Sequence, residues 1–310
     1  MTLRRLLAAG LAVAVISVAA AGCGDDDSAS GGGTVAVDGS STVGPYVTAA
    51  AEGYRDDGGG DVTVGISGTG GGFERFCRGE TDLSNASRPI KDEESAICEQ
   101  NNVEFIELQV ANDALTIVVN QANDWATCLT VDELNAIWKP GSKVSNWNQI
   151  RDDFPDEPLK LFGPGTDSGT FDYFTDEING EEGASRTDYS ASEDDNVVVQ
   201  GVSGSPGGLA YFGFSYFEEN QDTLTALEVD GGSGCVAPSA ETAQAGDYEP
   251  LARSLFVYVK RAALERREVE DFVRYMLENE KSIAEQAQYV PLNDEQLAGA
   301  KQKLEEATSS

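Results

Sequence analysis

The chain has 310 residues with 54 acidic against 21 basic side chains, a formal net charge of −33, no His and five Cys. The length accommodates about two domains with full cores, and the missing His excludes Ser-His-Asp and Cys-His nucleophiles and His-ligated zinc. The charge argues against nucleic acid as a partner, because affinity there comes from basic residues neutralising phosphates.

Arg4 and Arg5 precede an uncharged apolar run from Leu6 to Ala21, and Ala20-Ala21-Gly22 are small residues directly before Cys23. This is the pattern of a secretory signal, too short for a membrane span. It also resembles the lipobox of bacterial lipoproteins, which implies that Cys23 is acylated and becomes the mature first residue. Lipoboxes usually carry Leu where this chain has Ala20, and the alternative is plain secretion with Cys23 free. Residues 1–22 are therefore read as a lipoprotein signal. Residues 23–33, with Asp25-Asp26-Asp27 and Gly31-Gly32-Gly33, form a polar tether unable to build a core. The remaining Cys77, Cys98, Cys128 and Cys235 are an even set in an exported chain, which favours two disulfides. Of the three pairings, Cys77–Cys98 closes a short local loop, and Cys128–Cys235 joins distant segments. This pair of bridges is the expectation, with buried free thiols as the alternative. No CxxC spacing exists, so no zinc or thioredoxin-type site is predicted.

Further along, short β-rich runs end in Gly, Ser and Thr and lead into apolar-periodic segments. Val35-Ala36-Val37 leads to Asp38-Gly39-Ser40-Ser41-Thr42 and a helix over 45–54. Val62 to Ile66 leads to Ser67-Gly68-Thr69-Gly70-Gly71-Gly72 and a helix over 73–78. Thr116 to Val119 reads as a buried strand, and residues 131–137 as a helix that carries Trp138 into the core. Trp125 and Trp147 are left open between core and cleft. Leu159 to Phe162 leads to a loop over 163–170 and a helix over 171–178. A weaker strand at Val197-Val198-Val199 precedes Ser203 to Gly208, Leu255 to Val259 is a buried strand, and helices run over 265–279 and 293–306. Strands alternating with helices indicate an α/β architecture.

Three of these loops place hydroxyls and Gly immediately before a helix. First-turn N–H groups lack an internal partner and carry the positive end of the helix dipole, so such loops suit an anion. Ser and Thr are also ordinary caps, but capping does not require a run such as Gly70-Gly71-Gly72. Nucleotide signatures are absent. No Gly-Lys dipeptide exists, Gly68 to Phe73 lacks the last Gly of the dinucleotide fingerprint, and Gly165-Thr166-Asp167-Ser168-Gly169 is not a nucleophile elbow.

Six runs in order resemble the phosphate-binding protein of the bacterial phosphate ABC transporter, the PstS family. They are Asp38 to Thr42, Gly68 to Gly72, Ser84-Asn85-Ala86-Ser87-Arg88-Pro89-Ile90, Thr166 to Phe171, Ser205 to Tyr211 and Leu255 to Val259. The resemblance implies a type II periplasmic-binding fold, with two α/β lobes, a hinge crossed twice and phosphate enclosed between them. Lobe I would comprise 34–114 and 254–310, and lobe II 115–253. Residue by residue, the resemblance implies phosphate ligands at Ser41, Thr42, Thr69, Ser168, Gly169 and Thr170. Ser87 stands where well-known members place a proton-accepting Asp, and Pro164 where they place an Arg. Arg88, next to Ser87, is therefore the expected cation, or alternatively a structural ion-pair partner. The proton acceptor is left open among a Ser oxygen, a backbone carbonyl, Asp113 and Asp167.

The resulting expectation is a monomeric, lipid-anchored receptor on the extracytoplasmic face of the cell membrane, with no cofactor or metal. It would capture inorganic phosphate and deliver it to ABC transporter permease subunits. The alternatives are a receptor for sulfate or molybdate, a phosphate-ester hydrolase using Ser168 or Thr69, and a surface adhesin or co-receptor. The acidity does not oppose anion binding, since exposed charges beyond about 8 Å are screened at physiological salt.

Overall fold

The computed structural model describes residues 33–309, apart from Asp167 and Glu193. The signal, Cys23 and nearly all of the tether lie outside the described residues. In chain order, the first part comprises β1 (Val35–Gly39), α1 (Gly44–Asp56), β2 (Val62–Ile66), α2 (Gly68–Cys77), β3 (Leu83–Ala86), α3 (Asp92–Gln100) and the long β4 (Phe105–Asn120). The middle comprises β5 (Cys128–Thr130), α4 (Val131–Trp138), β6 (Lys160–Pro164), α5 (Gly169–Asn179), β7 (Ser190–Ser192), α6 (Asp195–Ser203), β8 (Gly208–Gly213), α7 (Phe214–Glu218), β9 (Leu224–Ala226), β10 (Glu228–Asp230), β11 (Cys235–Val236) and α8 (Ala240–Ala245). The chain closes with β12 (Ala252–Lys260), α9 (Arg267–Glu278), α10 (Glu280–Gln286) and α11 (Asp294–Thr308).

The main sheet runs β2-β1-β3-β12-β4-β8-β6-β7, with β9 also on β4; β11-β10-β5 form a small second sheet. Two apolar cores flank its middle. The first is built from β1, α1, the start of β4, the end of β12 and the C-terminal helices, and includes Val35, Tyr46, Leu108, Val257 and Phe272. The second includes Leu115, Ile117, Trp138, Trp147, Phe174 and Tyr211. Two strands connect them. β4 has Ala111 in the first core and Leu115 in the second, and on the way back Leu251 lies in the second and Leu255 in the first. At this crossing Arg253 lies directly opposite Asp113 in the antiparallel register of β12 and β4.

The α/β reading and the two-lobed architecture hold. Trp138 and Trp147 are fully buried, and Trp125 packs against the same core. Two local expectations are corrected. Val197 to Val199 lie in α6, not in a strand: Asp194 accepts from the Asn196 N–H at the helix start, and Val198, Val199 and Val202 face inward. A short apolar run fits either period, and the cap decides it here. α2 begins at Gly68, not Phe73, and Gly72 within it serves packing. A Cβ at Gly72 would lie 2.5 Å from the Gly39 Cα, so only Gly lets this helix lie against β1. The bridges Cys77–Cys98 and Cys128–Cys235 are both present.

Candidate functional site: the cleft at the strand crossing

β1, β2 and β3 are mutually parallel, and so are β6, β7 and β8. The loops leaving the carboxyl ends of β1, β2 and β3 carry Ser40-Ser41-Thr42, Ser67-Gly68-Thr69 and Ser87-Arg88. The loop leaving β6 ends at Ser168, the N-cap of α5, whose first residues are Gly169 and Thr170. Ligands in open α/β sheets bind in the crevice outside those carboxyl ends, where helix N-termini converge. A cavity of about 550 Å³ occupies this place, lined by Ser41, Thr42, Thr69, Ser87 and Arg88 from the first lobe, Tyr173 and Glu177 from α5, and Arg253 from the crossing strand.

Five of the sequence-predicted residues thus share one cavity wall. Ser168, Gly169 and Thr170 are not among its lining residues, but they open α5 beside it. A Cβ at Gly169 would stand 3.2 Å from Thr42 Oγ1, so the two lobes touch here. Ser168 Oγ accepts from the Thr170 N–H, as an N-cap. Thr69 Oγ1 and Ser87 Oγ are 3.1 Å apart, and the Ser87 N–H donates to Thr69 Oγ1. The Tyr289 hydroxyl donates to the Thr42 carbonyl and anchors the first loop from the C-terminal region.

The charged groups are distributed differently from the sequence expectation. Arg88 reaches the cavity, but its fork is filled: both terminal nitrogens donate to Glu94, at 2.8 Å each. Burial pushes the Glu94 carboxyl up, yet the Arg88 guanidinium and the Lys91 N–H hold it below the usual range. The second cavity cation, Arg253, was missed by sequence reasoning. Its Nη2 donates to Thr42 Oγ1 at 3.0 Å and to Asp113 at 3.2 Å, and its Cζ lies over the Tyr173 ring, 3.5 Å from the ring centre. Asp113, named as a proton acceptor from sequence, is occupied by Arg253. Burial pushes its carboxyl up and Arg253 opposes that. Asp167 lies outside the described residues. The α5 side adds Asp176 and Glu177, with Glu182 just beyond. Burial and then Asp176 push the Glu177 carboxyl up, with Arg253 opposing. The arrangement offers hydroxyls, helix-start amides and a cation to an anion, with carboxylate acceptors on the opposite wall.

A two-lobed α/β protein with such a cleft is a solute-binding protein, and residues 25–280 match the PBP superfamily domain. The chain belongs to the PstS family. It is 38% identical over 292 residues to the phosphate-binding protein PstS of Staphylococcus saprophyticus, covering 93% of this chain and 89% of the relative. It is also 46% identical over 266 residues to protein SphX of Synechocystis sp., covering 84% and 79%. Among solved structures, a possible phosphate binding protein from Planctomyces limnophilus matches with a TM-score of 0.85 at 46% identity, over 89% of this chain and 99% of that one. This family consists of transport-linked binding proteins, not enzymes. Among the described residues no helix is long and apolar enough to cross a membrane.

Proposed function

We propose that the chain captures inorganic phosphate outside the cytoplasm and delivers it to the permease subunits of an ABC transporter, as a monomer held to the membrane by acylated Cys23. The observation that carries this reading is the convergence of three hydroxyl-bearing segments of the first lobe on one cavity, with the hydroxyl-bearing start of α5 beside it and Gly169 against Thr42. Ser41, Thr42, Thr69, Ser87, Ser168, Gly169 and Thr170 supply hydroxyls and amides to the anion, and Arg88 adds charge at the rim. Lobe closure removes water and strengthens each of these hydrogen bonds. No bond is made or broken.

Phosphate is set apart from sulfate by its proton. Hydrogen phosphate can donate to a carboxylate on the α5 wall, whereas sulfate leaves that acceptor unpaired and is repelled by it. Calorimetry of the dialysed mature domain is expected to show phosphate and arsenate binding, with sulfate at least ~100-fold weaker. No heat with millimolar phosphate overturns the reading; equal affinity for sulfate transfers it to another oxyanion.

Arg88→Ala is expected to weaken phosphate binding by less than about tenfold, because its fork is already paired with Glu94 and a pair near the surface contributes little. A loss of 100-fold or more in the same titration puts Arg88 in direct contact with the ligand.

A further inference from the structure

We propose that Arg253, on the strand that crosses between the lobes, is the cation that directly meets the charge of the bound anion. This rests on the reading of the cleft as a phosphate site. The family's Arg position holds Pro164, so the charge of a dianion must be met from elsewhere. Two Arg side chains line the cavity, each with three N–H groups engaged, and they differ in where the remaining ones sit and in how deeply the side chain is buried. Arg88, the more exposed of the two, spends Nη1 and Nη2 on Glu94 and Nη1 also on the Pro89 carbonyl, which leaves Nε–H and one Nη2–H. Arg253 spends Nε and Nη2 on one oxygen of Asp113 and Nη2 on Thr42 Oγ1. Among the described residues its Nη1 has no hydrogen-bond partner.

The side chain is held in the manner a ligand-binding guanidinium requires. Asp113 fixes one edge from the paired strand, and the Tyr173 ring covers one face. At the end of this planar fork Nη1 keeps both of its N–H groups for the oxygens of a tetrahedral oxyanion, while Nη2 is held by Asp113 and Thr42 Oγ1. The side chain is 18% exposed, so the charge is partly desolvated and weakly screened by salt. Thr42 Oγ1, an expected phosphate ligand, is the group this fork already touches, so ligand and guanidinium meet at one point. Its contacts also span both lobes, with Thr42 in the first and Tyr173 in the second. One side chain therefore joins charge recognition to closure.

The test uses phosphate titrations of the natural mature chain, Arg253→Gln, Arg253→Lys and the double variant Arg253→Gln/Asp113→Asn, each with a melting curve without phosphate. Arg253→Gln is expected to bind at least ~100-fold more weakly, and Arg253→Lys, which keeps charge but not the fork, about tenfold more weakly. Arg253→Gln also strands the buried Asp113 carboxylate and so melts earlier. The double variant removes that stranded charge. It is expected to regain the melting temperature while staying ~100-fold weaker in binding. Recovery of natural affinity in the double variant, or unchanged affinity in Arg253→Gln, makes Arg253 a structural hinge residue and overturns the proposal. If the natural chain itself binds no phosphate, the reading beneath fails and takes this one with it.

Discussion

A Gly169→Val variant is expected to fold normally and to bind phosphate about 10- to 100-fold more weakly than the natural chain, since overpacking a filled contact costs about 1–3 kcal/mol. Gly169 opens α5 in one lobe, and Thr42 precedes α1 in the other. A Cβ at Gly169 would sit 3.2 Å from Thr42 Oγ1 and 3.4 Å from its Cα. One methyl can be accommodated by a small shift of the Thr42 side chain, so Gly169→Ala is expected to lose only about two- to threefold. Two further methyls have no such room, and the lobes must stay apart. Neither variant touches β4 or β12, and Val suits the first turn of a helix no worse than Gly. Stability without ligand is therefore expected to hold. Calorimetry gives the affinity, and small-angle scattering with and without phosphate gives the closure. Natural affinity in Gly169→Val would mean that the contact between these two loops plays no part in binding.

Replacing Cys128 and Cys235 together by Ser is expected to destabilise the chain by about 5 kcal/mol on the loop-closure model, a large share of a typical total of about 5–15 kcal/mol. The bridge spans 107 residues and ties β5 to β11 at the edges of the small sheet. Cys77–Cys98 spans only 21 residues, between α2 and α3, and its loss is expected to cost about 3 kcal/mol. The difference lies in the unfolded state, where a longer closed loop forbids more conformations. Urea unfolding of the two Ser pairs separates these values. Equal losses, or a loss below 1 kcal/mol for the long bridge, would show that the unfolded chain keeps that loop closed without the sulfurs.

Much of the candidate cleft was legible in the sequence because its parts are local. A β-rich run, a hydroxyl-and-Gly loop and an apolar-periodic segment lie within about 20 residues, where side-chain period alone separates strand from helix. The loops at Ser41-Thr42, Thr69 and Ser168 to Thr170 all open onto or beside the cleft. That two disulfides form was legible for a different reason, the even count of Cys in an exported chain, whereas the choice among three pairings was an expectation that the structure bears out. The misreadings were local as well. Val197 to Val199 suited either period over so short a run. The Gly68 to Gly72 stretch reads as loop because of its glycine content, whereas Gly72 serves a neighbour, the backbone at Gly39, that no window along the chain contains.

By itself, then, the sequence determined the α/β class, the order of the loops and the kind of ligand they suit, because each depends on residues close along the chain. Only the tertiary structure decided which charges lie at the cleft and which carboxylate each one meets. Arg253 is 140 residues from Asp113 and 211 from Thr42, and its one signal was a charge at the head of an apolar strand. Arg88 is paired with Glu94, six residues on, a contact that the spacing alone did not reveal. Ion pairing depends on separations of a few ångströms between groups, and those distances arise only when β4 and β12 cross side by side.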